Sequence, residues 1–146
     1  MSTPGNKCDS EWPLAVHSAE DWDRVLDLVL GFHDGIVREF AFREDAYVEP
    51  SLWLTEGRGV GPSVSVIVQF QRNEVPAAEL FFEGVESLCF ARDTEVDPGT
   101  AVLNGDRWIF EFLTCRVEAR TCVCKPLDSS YLGSAPVFAC TNAVGP

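Results

Sequence analysis

The chain has 146 residues, 46% of them hydrophobic, and a formal net charge of −12 at pH 7. One domain of this length typically buries about 70% of the surface its unfolded form exposes, so it can build a core without metal or disulfide staples. Four Trp and ten Phe exclude disorder of the whole chain, and the acidic balance disfavours nucleic acid and membrane surfaces while steering basic partners inward.

The charge is uneven. Residues 1–50 hold eleven acids and four bases, residues 51–100 eight and three, and residues 101–146 four and four. Solubility alone also accounts for such acidity. Nine of the eleven bases are Arg, which is compatible with a GC-rich bacterial genome. The stretch Met1–Lys7 carries no apolar segment of the kind a secretory signal needs, and no apolar run reaches the roughly 20 residues that span a bilayer. A cytoplasmic protein with reduced thiols is expected. Cys8, Cys89, Cys115, Cys122, Cys124 and Cys140 are too sparse and irregular for a disulfide framework.

A single domain is expected, with an ordered core over residues 12–125, a flexible N-terminus and a flexible tail rich in Pro, Gly and Ser. Trp12–Val16 is apolar enough to pack on the body. Ser18 reads as a helix N-cap, with Asp21 in the capping-box position. Trp22, Val25, Leu26, Val29 and Leu30 then recur at helical spacing and define an apolar stripe, with Gly31 or Gly35 as the stop.

From Ile36 the period becomes two. Ile36, Arg38, Phe40 and Phe42 alternate with Val37, Glu39 and Ala41, and Arg38 is expected to snorkel at an edge. Arg43–Asp45 reads as a turn and Ser51–Thr55 as a short strand. The glycines at 57, 59 and 61 mark a loop; no Lys-Ser/Thr follows them, so they are not a phosphate cradle. Ser63–Arg72 alternates as a half-buried antiparallel strand. Leu80–Phe90 is strand-like, with Gly84 as a bulge or break. An acidic loop follows from Arg92 to Gly99, and Asn104-Gly105 signals a hairpin. Residues 107–124 form one long bent strand or two. The aromatic residues, clustered from Phe32 to Phe112, mark the expected core.

His33 and Asp34 are the most tempting catalytic pair, since a working histidine needs a carboxylate on its ring. Neighbours in sequence usually point apart, and Asp34-Gly35 also serves simply as the helix-to-strand turn. Cys122 and Cys124 share one strand face, but one C-x-C pair is not a zinc motif, and free thiols on a solvent or partner face are expected. Asp93, Glu95 and Asp97 alternate like a calcium loop, yet Pro98 occupies the position that requires glycine. They read as a solvated loop or a docking patch for a basic partner. No catalytic residue, cofactor or metal site is expected.

The order Asp21-Trp22, then Phe32-His33-Asp34-Gly35-Ile36, then Leu80-x-Phe82-x-Gly84-Val85-x-x-Leu88 and the aromatic strand at Trp108–Phe112 is similar to that of small, poorly characterised bacterial proteins. Some of these are classed as immunity proteins of polymorphic-toxin systems. The resemblance runs from Asp21 to Val123 and implies an α+β domain, dominated by antiparallel strands, that binds a protein.

The expected fold is therefore α+β: an N-terminal amphipathic helix packed on a mainly antiparallel curved β-sheet, or on a small sandwich of six to eight strands. The expected function is non-catalytic protein binding, with a basic toxin as partner and Asp93, Glu95, Asp97, His33 and Asp34 as contact residues. Alternatives are a small ligand-binding domain or enzyme with a cleft near His33, Asp34 and Asp21, and an assembly subunit using an exposed strand edge.

Overall fold

A computed structural model describes residues 11–57, 59–91 and 97–128. Its one α-helix, α1 (Ala19–Val29), starts at the Ser18 cap. The Ser18 Oγ accepts from the Asp21 backbone N–H at 3.2 Å, which satisfies one orphan donor of the first turn. The Asp21 carboxylate accepts from the His17 backbone N–H at 2.9 Å. That bond is the main reason the Asp21 carboxyl is held below its ordinary pKa.

Trp22, Val25 and Val29 are buried, while Leu26 and Leu28 are half-buried against the same cluster. Leu30, assigned to the stripe by its spacing, is exposed. The reason is local: Leu30 itself adopts the left-handed cap conformation at φ 49°, and its N–H returns to the Leu26 carbonyl. The stop therefore falls before either expected glycine. Gly31 continues a short 3-10 turn (Leu30–Phe32), and Gly35 opens the next strand.

Eleven strands occur among the described residues: β1 (Leu14–Ala15), β2 (Gly35–Arg43), β3 (Tyr47–Val48), β4 (Leu54–Thr55), β5 (Ser63–Phe70), β6 (Ala77–Glu83), β7 (Ser87–Phe90), β8 (Asp97–Asn104), β9 (Arg107–Leu113), β10 (Cys115–Ala119) and β11 (Thr121–Leu127). One sheet has the order β1-β11-β6-β5-β2, a second β7-β10-β9-β8, and β3 and β4 pair alone. Every pairing is antiparallel. The α+β class holds in this form: mostly antiparallel sheet with one short helix.

The count exceeds six to eight because expected strands divide and because the two-residue strands β1 and β3 add to them. Leu80–Phe90 divides at Gly84 (φ 64°), so β6 lies in the first sheet and β7 in the second. Residues 107–124 divide twice. Leu113 turns at φ 50°, and Arg120 marks the return from the second sheet to the first. The two sheet changes lie side by side: a Cβ on Gly84 would stand 3.0 Å from the Arg120 side chain. The Arg120 N–H bonds the Glu83 carbonyl at 3.0 Å, and Glu86 N–H the Glu118 carbonyl at 2.9 Å.

The hairpin at Asn104-Gly105 forms, with Asn104 paired to Arg107 and Gly105 at φ 69°. Asp97–Gly99, expected in a loop, instead begin β8, with a register irregularity before Thr100. Leu54–Thr55 is all that becomes strand of the Ser51–Thr55 segment.

The core joins both sheets and the helix. Phe82 of the first sheet meets Phe110 and Phe112 of the second at ring-centroid distances of 5.2 and 6.1 Å. Trp22 of α1 meets Phe110 at 5.3 Å. Val64, Val66, Val68 and Phe70 point the same way from β5, as their alternation requires. Arg72, just past β5, donates to the Leu28 carbonyl at 2.8 Å and so serves the helix C-terminus. Its guanidinium lies 5.4 Å from the centre of the Phe70 ring.

Because Phe82 touches both rings of the opposite sheet and is fully buried, Phe82→Ala is expected to lower the free energy of unfolding by about 3–5 kcal/mol. Urea denaturation followed by Trp fluorescence and circular dichroism measures it.

Candidate functional site

The aromatic cluster from Phe32 to Phe112, expected to mark the core, divides. Phe32, Phe70, Phe82, Phe110 and Phe112 are buried, but Phe40, Phe42, Tyr47, Trp53 and Phe90 are exposed. Among the described residues the largest exposed concentration is the β3–β4 hairpin, where Leu52, Trp53 and Leu54 are 85%, 75% and 70% accessible and Tyr47 and Val48 are also open.

The sequence builds this hairpin by local bonds. Pro50 suits the second position of a turn, and the turn closes when the Leu52 N–H reaches the Glu49 carbonyl at 2.8 Å. Leu52 takes φ 69° to complete it, a conformation unfavourable for a branched side chain. The Glu49 N–H then bonds the Trp53 carbonyl at 2.9 Å. The Glu49 carboxylate accepts from Thr55 Oγ1 at 2.9 Å and from Ser51 Oγ at 3.4 Å. One acid thus ties both arms together beneath the displayed side chains.

The base of the hairpin is fastened as well. Gly57 sits at φ 69° so close to Asp45 that a Cβ would lie 2.2 Å from its carbonyl oxygen. The Asp45 carboxylate accepts from the Val60 N–H at 3.2 Å. Gly57 therefore serves a close backbone approach between the arms, whereas a Cβ on Gly59 would meet nothing within 4 Å.

The contact residues expected from sequence lie elsewhere. His33 Nδ1 stands 3.0 Å from Asp34 Oδ2, so these neighbours do meet, against the expectation that they point apart. Asp34 has φ 57°, which turns its side chain back toward His33. Both side chains are largely exposed, at 78% and 54%, and an ion pair that solvated adds little to stability. Asp34 borders an open cleft of ≈ 510 Å³ with Gly35, Ile36, Gln69, Phe70 and Gln71. Neither His33 nor Asp21 is among its described lining residues. Asp93 and Glu95 lie outside the described residues, as does the side chain of Asp97, whose backbone starts β8.

Arg38, expected to snorkel, has a side chain only 7% exposed. Its Nη1 donates to Gln69 Oε1 at 3.2 Å, and a register irregularity between Val37 and Glu39 accompanies this inward turn.

Cys122 and Cys124 do share a strand face, but they are buried and face the core opposite Phe82 and Leu80, not solvent or a partner. The outward positions of β11 belong to the intervening residues. Burial pushes the Cys124 thiol up to about 12, with the nearby Glu79 charge adding to it. Burial likewise raises Cys122 well above the ordinary thiol value, reinforced by Cys124. A buried thiol kept protonated is a poor nucleophile near neutral pH. Among the described residues no group of three or more His, Cys, Asp or Glu side chains is placed to hold a metal ion. No described helix is long and apolar enough to cross a membrane.

Sequence reasoning overlooked the hairpin. The signal was the unbroken Leu52-Trp53-Leu54 triplet between a proline turn and the glycine loop. Consecutive apolar residues in a two-stranded ribbon cannot all face one side, so such a triplet in so short an element leaves apolar surface outside. Comparison with family models, with curated proteins and with solved structures gives no match.

The thiols provide a direct check of which strand faces are buried. In the native protein, iodoacetamide at pH 8 is expected to label exposed Cys89 readily and to spare Cys122 and Cys124 until denaturant is added. Peptide mass spectrometry resolves the positions.

Proposed function

We propose that this chain is a non-catalytic protein-binding domain whose main contact element is the Tyr47–Thr55 hairpin. The observation that carries this reading is the pre-formed display of Leu52, Trp53 and Leu54 at the tip of a ribbon tied by Glu49. Large apolar side chains held open to water in one place are unusual on a monomer and mark interaction sites. Trp and Tyr are enriched among residues that dominate binding energy. The turn and the carboxylate clasp fix the ribbon before contact, so little ordering entropy remains to oppose binding.

The net charge of −12 supports a second role for the surface. It draws a basic partner inward and raises the association rate, while the apolar tip sets the lifetime of the complex. Neutralisation of a basic toxin in the cytoplasm, as in the immunity proteins the sequence resembles, is the specific form of this proposal.

The test is affinity for the product of the adjacent gene, measured by calorimetry at low and high salt. Trp53→Ala is expected to weaken binding by about 2 kcal/mol, roughly thirtyfold. High salt is expected to slow association with a smaller effect on dissociation. Binding that is abolished by salt yet indifferent to Trp53 would assign the contact to the acidic surface instead.

The cleft beside Asp34 favours one other reading, a site for a small polar ligand. Its lining includes Asp34, Gln69 and Gln71 beside Ile36 and Phe70, with the Gln69 amide oxygen held by Arg38. Chemical-shift changes confined to these residues on adding a small-molecule panel would support it, with Asp34→Ala abolishing them.

A further inference from the structure

The β2 strand closes one side of the five-stranded sheet, and among the described residues only β5 pairs with it. Long unprotected edges are templates for another strand. Here the first part of the edge is interrupted, because the register shifts between Val37 and Glu39 where Arg38 turns inward. The regular part is the five residues from Glu39 to Arg43, which pair without a break with Ile67 through Ser63.

That segment has a pattern of its own. Phe40 and Phe42 share the core-facing side, opposite Val66 and Val64. Both valines are fully buried, yet one strand further out Phe40 and Phe42 are exposed, so the apolar face continues past its cover. On the other side stand Glu39 and Arg43, of opposite charge, both exposed, with the small Ala41 midway between them.

We propose that β2 pairs with β2 of a second copy of this chain, antiparallel and centred on Ala41. The regular segment is symmetric about that residue. In this register Phe40 of each copy faces Phe42 of the other, and Glu39 of each faces Arg43 of the other. Ala41 meets its own counterpart on the two-fold axis, where a larger side chain would crowd itself. Directly opposed aromatic pairs and opposed unlike charges are the pairings that stabilise antiparallel strands. Moving the centre to Phe40 or Phe42 leaves Glu39 or Arg43 facing Ala41 and separates the charge pairs, so the charge pattern selects one register. The pairing joins two five-stranded sheets into one and brings four phenylalanines together on its core-facing side. A two-fold contact of this kind closes on itself and stops at the dimer. It uses a surface distinct from the β3–β4 hairpin, so either assignment can fail without the other.

The register dictates a charge-swap experiment on the full chain. Sedimentation velocity at physiological salt, which screens the mutual repulsion of two acidic chains, is run from low-micromolar to near-millimolar protein. The unaltered chain is expected to show a concentration-dependent dimer. Glu39→Arg places Arg opposite Arg, and Arg43→Glu places Glu opposite Glu, so each variant alone is expected to be monomeric. Both positions are exposed, and an unchanged circular dichroism spectrum verifies folding. An equimolar mixture of the two variants restores both unlike pairs and is expected to dimerise, as is the double variant E39R/R43E. A monomer at the top of the concentration range for the unaltered chain overturns the proposal. So does a dimer that survives both single reversals, which would place the interface elsewhere.

Discussion

The contact on which this structure depends is the meeting of Phe82 with Phe110 and Phe112 across the two sheets. Trp22 brings the helix onto the same cluster through Phe110, and Phe32 stacks on Phe112 at 5.0 Å just beyond the helix end. Each of these rings contributes roughly 1.5–3 kcal/mol by leaving water. Because they belong to the helix, the turn after it and both sheets, no one element is packed until the others are present. The chain's two crossings between sheets, at Gly84 and Arg120, are what carry Phe82 and Phe110 to opposite sides of this contact.

The same geometry decides which apolar residues are left out. Val64 and Val66 of β5 are buried, while Phe40 and Phe42, paired with them from the edge strand β2, are exposed. The β3–β4 hairpin is a separate ribbon and brings its Trp53 with it. Acidic charge is compatible with this arrangement, since a net charge far from zero keeps a protein with exposed aromatics dispersed.

The sites favoured at first sight were those with reactive side chains. Buried thiols at Cys122 and Cys124 turn out to be small apolar fillers of the first sheet. The His33–Asp34 contact is real, yet it stands in solvent at the close of a turn. Left-handed non-glycine backbone occurs both at that turn, at Leu30, Phe32 and Asp34, and in the hairpin, at Leu52.

Much of the architecture was legible from residue patterns alone. The Ser18 cap, the helix through Trp22, Val25 and Val29, the buried face of β5 and the turn at Gly105 all follow from local chemistry: a side-chain oxygen at an N-terminus, a 3.6-residue or two-residue period, a glycine at positive φ. What alternation could not decide was which side of a strand has a neighbour above it. Period two assigns Phe40 and Phe42 to one face, and Cys122 and Cys124 likewise, but whether that face meets protein or water depends on what packs above it, which left the former exposed and the latter buried. The breaks at Leu113 and Arg120 were hidden because no turn-forming residue marks them: at Leu113 the chain doubles back between neighbouring strands of the second sheet, and at Arg120 it returns to the first. Local periodicity is set by bonds within a few residues. Exposure is set by contacts between residues far apart in the chain, and that is why the sequence by itself determined the elements and the tertiary structure alone decided which of their faces are free to bind.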